Sequence, residues 1–404
     1  MERGRVRLMK IAITGMGIIS AIGMKVEENF NALKNRNSGI SDLENIDTVH
    51  KGVLKFGEIK LTNSELATIL KLPENHDFSR TTLLGAYAAQ KAVENAGIKN
   101  INDYPTGLVS STSVGGMDKT EQYFYEYFDN PEIRRFITSH DAGDVSHKIA
   151  DILGIEGLVT TISTACSSAA NAVMFGARLI ASGQLERVIV GGSDALSKFT
   201  INGFNTLMIL TDSYNTPFDN NRKGLNLGEA AAYLILESDK VVKEQNREVL
   251  AYLSGFGNAN DAYHQTASSE DGEGAFLAME KALKMAGISP ENIDYINVHG
   301  TATPNNDLSE GRALQRIFGQ NIPLFSSTKP YTGHTLAAAA AIEAVYSILA
   351  LRHNVIYPNL NFKDKMEEFD LIPTTELTEK EIHTVLSNSF GFGGNCSSLI
   401  FSKS

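Results

Sequence analysis

Tryptophan is absent from this 404-residue chain, and cysteine occurs only twice, as Cys166 and Cys396. Two cysteines exclude a disulfide framework and point to a reducing, cytoplasmic setting. Long apolar runs are also missing: the longest, Leu336 to Val345, is mostly alanine and carries Glu343, so no membrane span is expected. The basic start, Met1 to Leu8, has no apolar core and is not a secretory signal. Residues 1–9 read as a short disordered basic arm, with the first strand beginning at Lys10. Positive charge is in deficit, and a net charge of −11 argues against a nucleic-acid binder. No histidine or cysteine has metal-ligand spacing. No phosphate-binding loop appears, and Gly15-Met16-Gly17 lacks the third glycine of a dinucleotide fingerprint.

What remains is the composition of a globular protein, 42% hydrophobic and 21% charged, long enough for about two domain-sized units. Strand-like and helix-like patterns alternate from Ile11 to Phe401, which reads as α/β with sheets buried between helix layers. Gly97 and Gly287 follow helical patterns in the C-cap position. Three pairs of segments match in order: Gly107–Gly116 with Ile296–Asp307, Thr161–Ser182 with Phe325–Leu351, and Val188–Ala195 with Val385–Asn395. These suggest an internal duplication, divided near residue 255 into an N-terminal half (10–255) and a C-terminal half (256–404). The stretch 196–228 reads as an excursion from the first half.

Cys166 lies in Thr164-Ala165-Cys166-Ser167-Ser168, where a β-like run gives way to an alanine-rich helical pattern. A thiol in a first helical turn meets unpaired N–H groups and the positive end of the dipole. Such sites lower a thiol pKa from about 8.5 by roughly one to five units. The same residues also suit a compact hydrophobe in a tight turn. His299 ends a strand-like run in Asn297-Val298-His299-Gly300-Thr301-Ala302-Thr303, and His334 opens a helical pattern after Lys329. A helix N-terminus biases His334 towards the neutral form. Each residue alone also reads as ordinary: a structural histidine, a solvated lysine, a helix glutamate at Glu343. The tail Asn388-Ser389-Phe390-Gly391-Phe392-Gly393-Gly394-Asn395 suggests close backbone approach to a ligand, or else a tight hairpin.

Together, Thr-Ala-Cys-Ser-Ser, Asn-x-His-Gly-Thr-x-Thr, Lys-x-x-x-Gly-His and Asn-Ser-Phe-Gly-Phe-Gly-Gly, in this order, resemble the β-ketoacyl-acyl-carrier-protein synthases of the synthase I/II type, within the thiolase-like fold. The resemblance runs from about Lys10 to the C-terminus. It implies two pseudo-duplicated halves layered α-β-α-β-α, and decarboxylative condensation of a malonyl thioester with an acyl group held on Cys166. Fatty-acid elongation is the leading pathway, with a specialised polyene or polyketide-like route as the alternative.

The resemblance also implies the residues' roles. Cys166 and Phe392 would supply oxyanion N–H groups, with Gly391, Gly393 and Gly394 letting the turn approach and Phe392 acting as a gate. His299 and His334 would stabilise the enolate. Lys329, paired with Glu343, would organise the site, and Thr301 and Thr303 would hold the phosphopantetheine arm of a carrier. No permanently bound cofactor is expected. Val114, Phe199, Phe204 and Met208 are candidate pocket residues. A homodimer and an acyl carrier protein are the implied partners, with Lys71, Arg134, Arg135, Lys198 and Arg222 as a candidate basic patch.

Three departures from the family pattern stand out: the run Ala337 to Ala341, Ala230 after Glu229, and Cys396 after Asn395. They bear on acyl specificity more than on the chemistry. Two rivals compete. A thiolase would need Cys396 as a second catalytic cysteine, and a non-catalytic chain-length-factor-like subunit would lack Cys166.

Overall fold

The computed structural model describes residues 10–403, so the expected arm 1–9 lies outside the described residues. Ten strands join one mixed sheet: β1 (Ile11–Ser20), β2 (Thr106–Ser111), β3 (Val159–Ile162), β4 (Arg187–Asp194), β5 (Ala230–Glu237), β6 (Ala251–Asn260), β7 (Tyr295–Asn297), β8 (Leu324–Ser326), β9 (Thr384–Gly391) and β10 (Asn395–Ser402). Their spatial order is β3-β2-β4-β5-β1-β6-β10-β9-β7-β8. Read outward from the centre, the two halves are the same: β1-β5-β4-β2-β3 and β6-β10-β9-β7-β8. In each, the two outer pairings are parallel and the two inner ones antiparallel. The halves meet where Ile11–Ile13 pairs antiparallel with Ala251–Leu253. This is the thiolase-like duplication.

Three apolar cores separate the layers. The central one packs α2 (Ser168–Ala181) and α6 (Ala339–His353) between the inward residues of both half-sheets, among them Val188, Val190, Leu399 and Phe401. An outer core sets α1 (Arg80–Asn95) on the opposite face, where Ile189 and Ile235 point. The third sets α4 (Glu273–Ala286) and α5 (Pro304–Phe318) against Ile296, Leu386 and Ile400. Alternation along each strand feeds two cores at once, as expected of a sheet buried on both faces.

Local chemistry sets the helix ends. Ser79 accepts from the Thr82 N–H to start α1, and Gly97 and Gly287 adopt left-handed backbone just past α1 and α4. The 18 residues Leu336–His353 are long and apolar enough to cross a membrane, longer than the run marked in the sequence, but 89% of them are buried inside the protein.

One sequence reading is revised. A boundary at 255 cuts β6, and the second half begins with that whole strand. The discounted Gly15-Met16-Gly17 has a counterpart in Gly255-Phe256-Gly257, and both serve packing. A Cβ on Gly17 would lie 2.1 Å from Ala88 O, and one on Gly257 2.1 Å from Ala278 O. The glycines let α1 and α4 lie directly on their strands.

Candidate active site

The site lies between the halves, at the ends of α2 and α6. Ala165 takes a left-handed φ of 52°, turning the chain sharply between β3 and α2. Cys166 follows, two residues before the first helical residue Ser168, so it sits just outside the first turn. The backbone N–H groups of Phe392 and of Cys166 itself act on the sulfur and favour its thiolate. The expected acidic thiol is not found. Burial pushes Cys166 up to about 11, outweighing the Lys329 cation and the two N–H groups.

His299 and His334 converge on this sulfur. Cys166 Sγ and one nitrogen of each imidazole lie within 4.8 Å of one another, all three residues buried. The rings stand 5.4 Å apart at 88°. Their tautomers follow from their partners. His334 Nδ1 accepts from the Leu336 N–H at 3.1 Å, where Leu336 has a left-handed φ of 53°. Lys329 Nζ lies 3.3 Å from His299 Nδ1 and 2.6 Å from Glu343 Oε1. With Nδ1 occupied as an acceptor, each ring carries its proton on Nε2. Burial first, then the Lys329 cation, holds both imidazoles well below 6.5. They are neutral donors, for more reasons than the helix end foreseen for His334. A sulfur and two imidazoles also form a metal-ligand set, but a metal ion there would face the Lys329 cation.

Glu310 anchors the turn after β7, accepting from the His299 and Gly300 N–H groups at 2.9 Å each. Burial raises its carboxyl to about 7. Asp194, at the end of β4, accepts from Thr112, Ser113 and, at 2.8 Å, the Ala337 N–H. It ties the loop after β2 to the segment after His334. Neither carboxylate was singled out in the sequence. Their signals were faint: an acidic residue ending a buried strand, and a glutamate eleven residues after His299.

A cavity of ≈ 210 Å³ opens over the sulfur. Cys166, His299 and His334 line it together with Phe390 to Gly394, Thr301, Thr303 and Asn305. Phe392 stacks on Phe204 with ring centroids 6.0 Å apart. A Cβ on Gly391 would lie 2.8 Å from Thr164 O, so only glycine allows this approach.

The excursion 196–228 contributes to the cavity. Asn226 O accepts from the His334 N–H at 2.7 Å, and Ile209 and Leu225 join the lining. Of the four candidate pocket residues, Phe204 lines the cavity and Val114 packs beside it in the neighbouring apolar cluster. Phe199 and Met208 do not: they are 59% and 87% exposed. Ile201 and Phe204 share the inner face of α3 (Lys198–Thr206), Phe199 is on the outer face, and Met208 lies beyond the helix end. Arg222 is also displaced from its expected surface patch. It is buried, donating to Asp219 O and Pro304 O. Lys71, Arg134, Arg135 and Lys198 are exposed. Cys396 sits in the third core against α4, away from the cavity, which removes the pair of cysteines a thiolase requires.

Residues 9–241 match the family described as "Beta-ketoacyl synthase, N-terminal domain" and residues 250–363 its "C-terminal domain". The chain is 31% identical to 3-oxoacyl-[acyl-carrier-protein] synthase 2 of Vibrio cholerae, over 98% of this chain and 99% of the relative. Among solved structures, the ishigamide ketosynthase/chain length factor superposes with a TM-score of 0.91 at 29% identity, covering 98% of this chain and 99% of that one. A type II polyketide ketosynthase solved with its acyl-carrier protein gives 0.89 at 26% identity, covering 98% of this chain and 100% of that one. With two family domains across most of its length and the cysteine and both histidines in one cavity, the chain belongs to the β-ketoacyl synthase family.

Proposed function

We propose that this chain is a β-ketoacyl-acyl-carrier-protein synthase of the synthase II type, an acyltransferase that extends an acyl chain by two carbons. The observation that carries this reading is the meeting of one thiol and two neutral, Nε2-protonated imidazoles in a single cavity.

In the first half-reaction, the Cys166 sulfur attacks the thioester carbonyl of an acyl-carrier, and the thiol proton goes to the departing carrier sulfur. The resulting oxyanion sits against the Cys166 and Phe392 N–H groups, and the intermediate collapses to acyl-Cys166 and carrier thiol. One such donor is worth about 10²–10³ in rate. In the second, a malonyl-carrier loses carbon dioxide, and the electron pair moves onto its thioester oxygen as an enolate. The Nε2–H groups of His299 and His334 donate to that oxygen. Neutral donors suit this step, because they stabilise the enolate without being deprotonated by it. The enolate carbon then attacks the acyl-Cys166 carbonyl, and the sulfur leaves and takes up a proton. Lys329, held by Glu343, keeps His299 Nδ1 an acceptor. Thr301 and Thr303, whose hydroxyls lie 2.8 Å apart at the cavity wall, suit the amides of a phosphopantetheine arm.

The partners are an acyl carrier protein and a second copy of this chain. Among the described residues β3 is an open sheet edge, and Phe124, Tyr125, Phe128 and Ile137 are exposed on the segment 117–140. A free edge and an exposed aromatic surface each suit a subunit interface.

Incubation with malonyl-carrier and a panel of acyl-carriers tests the function. Acylation at Cys166 and a product two carbons longer are expected, and both are lost in Cys166→Ala. A Cys166→Ala variant that condenses at the full rate overturns the mechanism.

A further inference from the structure

The two oxyanion donors come from different halves of the fold. The Cys166 N–H belongs to the turn before α2, and the Phe392 N–H to the hairpin between β9 and β10. Their usefulness depends on the two turns being in register, since a donor helps only where it points at the developing charge. Gly391 removes the steric barrier to their approach, but something must set the distance.

Asn171, on α2, is bonded to both turns. Its Nδ2 donates to Thr164 Oγ1 at 2.8 Å and to Asn395 Oδ1 at 2.9 Å. Thr164 lies in the turn that carries Cys166. Asn395 lies directly opposite Gly391 in the β9–β10 register, at the base of the hairpin that carries Phe392. The Asn171 Oδ1 accepts from Asn258 Nδ2 at 3.0 Å and from Ser397 Oγ at 3.2 Å, on β6 and β10. Both amide protons and both oxygen lone pairs are therefore engaged, and the carboxamide cannot rotate without losing several bonds. Asn171 is not among the cavity-lining residues.

We propose that Asn171 is a positioning residue: its carboxamide clamps the Cys166 turn to the Phe392 hairpin and so sets the geometry of the oxyanion hole. The proposal rests on the condensing reaction above.

Three variants test it. Asn171→Leu keeps the size of the side chain and removes all four bonds. Asn258→Ala removes the donations to Asn171 Oδ1, Asn395 Oδ1 and Ser397 Oγ and leaves both Asn171 donations in place. Thr164→Val removes one leg of the clamp with little change in shape. The readouts are Cys166 acylation by octanoyl-carrier, the pH profile of Cys166 alkylation by iodoacetamide, and the denaturation midpoint. Asn171→Leu is expected to slow acylation at least tenfold with the carrier KM within twofold of wild type, and to move the alkylation profile to higher pH. Asn258→Ala is expected to lose stability yet acylate within threefold of wild type. Thr164→Val should fall between them.

Acylation by Asn171→Leu within twofold of wild type, with an unmoved alkylation profile, overturns the clamp. So does an Asn258→Ala variant as slow as Asn171→Leu. Should Asn171→Leu fail to fold, Thr164→Val decides alone, and wild-type behaviour in it counts against the clamp. A wild-type protein that takes no acyl group overturns the condensing reaction instead, while the alkylation profiles still decide for or against Asn171.

Discussion

His299 and His334 are kept neutral by burial and by the Lys329 cation, and this has a thermodynamic signature. An unfolded chain exposes imidazoles that titrate near 6.5, whereas the folded site holds both well below that value. Below pH 6.5 the unfolded state therefore binds more protons, and stability falls as the pH falls. The contribution is fully present above 6.5. Glu310 has the opposite sign. Its raised value of about 7 favours the folded state at low pH, and that contribution is lost as pH rises from 4.5 through 7. A comparison of variants separates the two. His334→Gln removes one depressed imidazole and leaves Glu310 in place. The gap in denaturation midpoint between wild type and His334→Gln should change progressively in favour of the variant from pH 7 to pH 5. Parallel pH curves for the two proteins would contradict the assignment of a neutral buried His334.

At the scale of elements, the close fit of helix on strand makes one pair of glycines costly to change. A Cβ at Gly257 meets backbone atoms of α4 at 2.1 and 2.8 Å, and nothing there yields without moving the helix. Gly257→Ala should destabilise by roughly 1–3 kcal/mol or more, as overpacking does. Gly203 in α3 has open space around it and an ordinary helical backbone, so Gly203→Ala should be neutral or stabilising by up to about 1 kcal/mol. Urea midpoints of the two variants moving in the same direction and by the same amount would refute the contrast.

The same elements show what a single sequence makes legible. Alternating strands and helices, the C-cap glycines and the three matched segments could be read because their signals are local and periodic. Gly-x-Gly in β1 and β6 is a repeat masked in the sequence by its likeness to a truncated cofactor motif. Phe199 and Phe204 look equivalent as letters, and only their positions on α3 separate an exposed ring from a lining one. Cys166, His299, His334 and Lys329 were recognisable as motifs. Asp194, Glu310, Asn171 and Asn395 were not, because each works through partners distant in sequence or through backbone N–H groups that no side-chain pattern encodes. The thiol's raised pKa was hidden for a similar reason: the dipole argument is local, whereas burial is a property of the finished fold.

At the scale of the whole molecule, β3 ends its half-sheet among the described residues, and Phe124 and Phe128 present an exposed aromatic surface. A protein of 43.9 kDa per chain should elute at about twice that mass, and Phe124→Glu with Phe128→Glu should shift it towards the single-chain mass. An unchanged mass in the double variant would place the interface elsewhere.

The central helix α6 has a different consequence, one of timing. During synthesis Leu336–His353 leaves the ribosome as the most lipid-like stretch of the described chain. Its neighbours α2 and β5 have already emerged, but β9 at Thr384–Gly391, against which it also packs, is not yet made. For the span of several dozen codons the nascent chain must shelter an oily helix in half a cavity. β9 and β10, translated later, close that cavity, and the same strands carry Phe392 into place over Cys166.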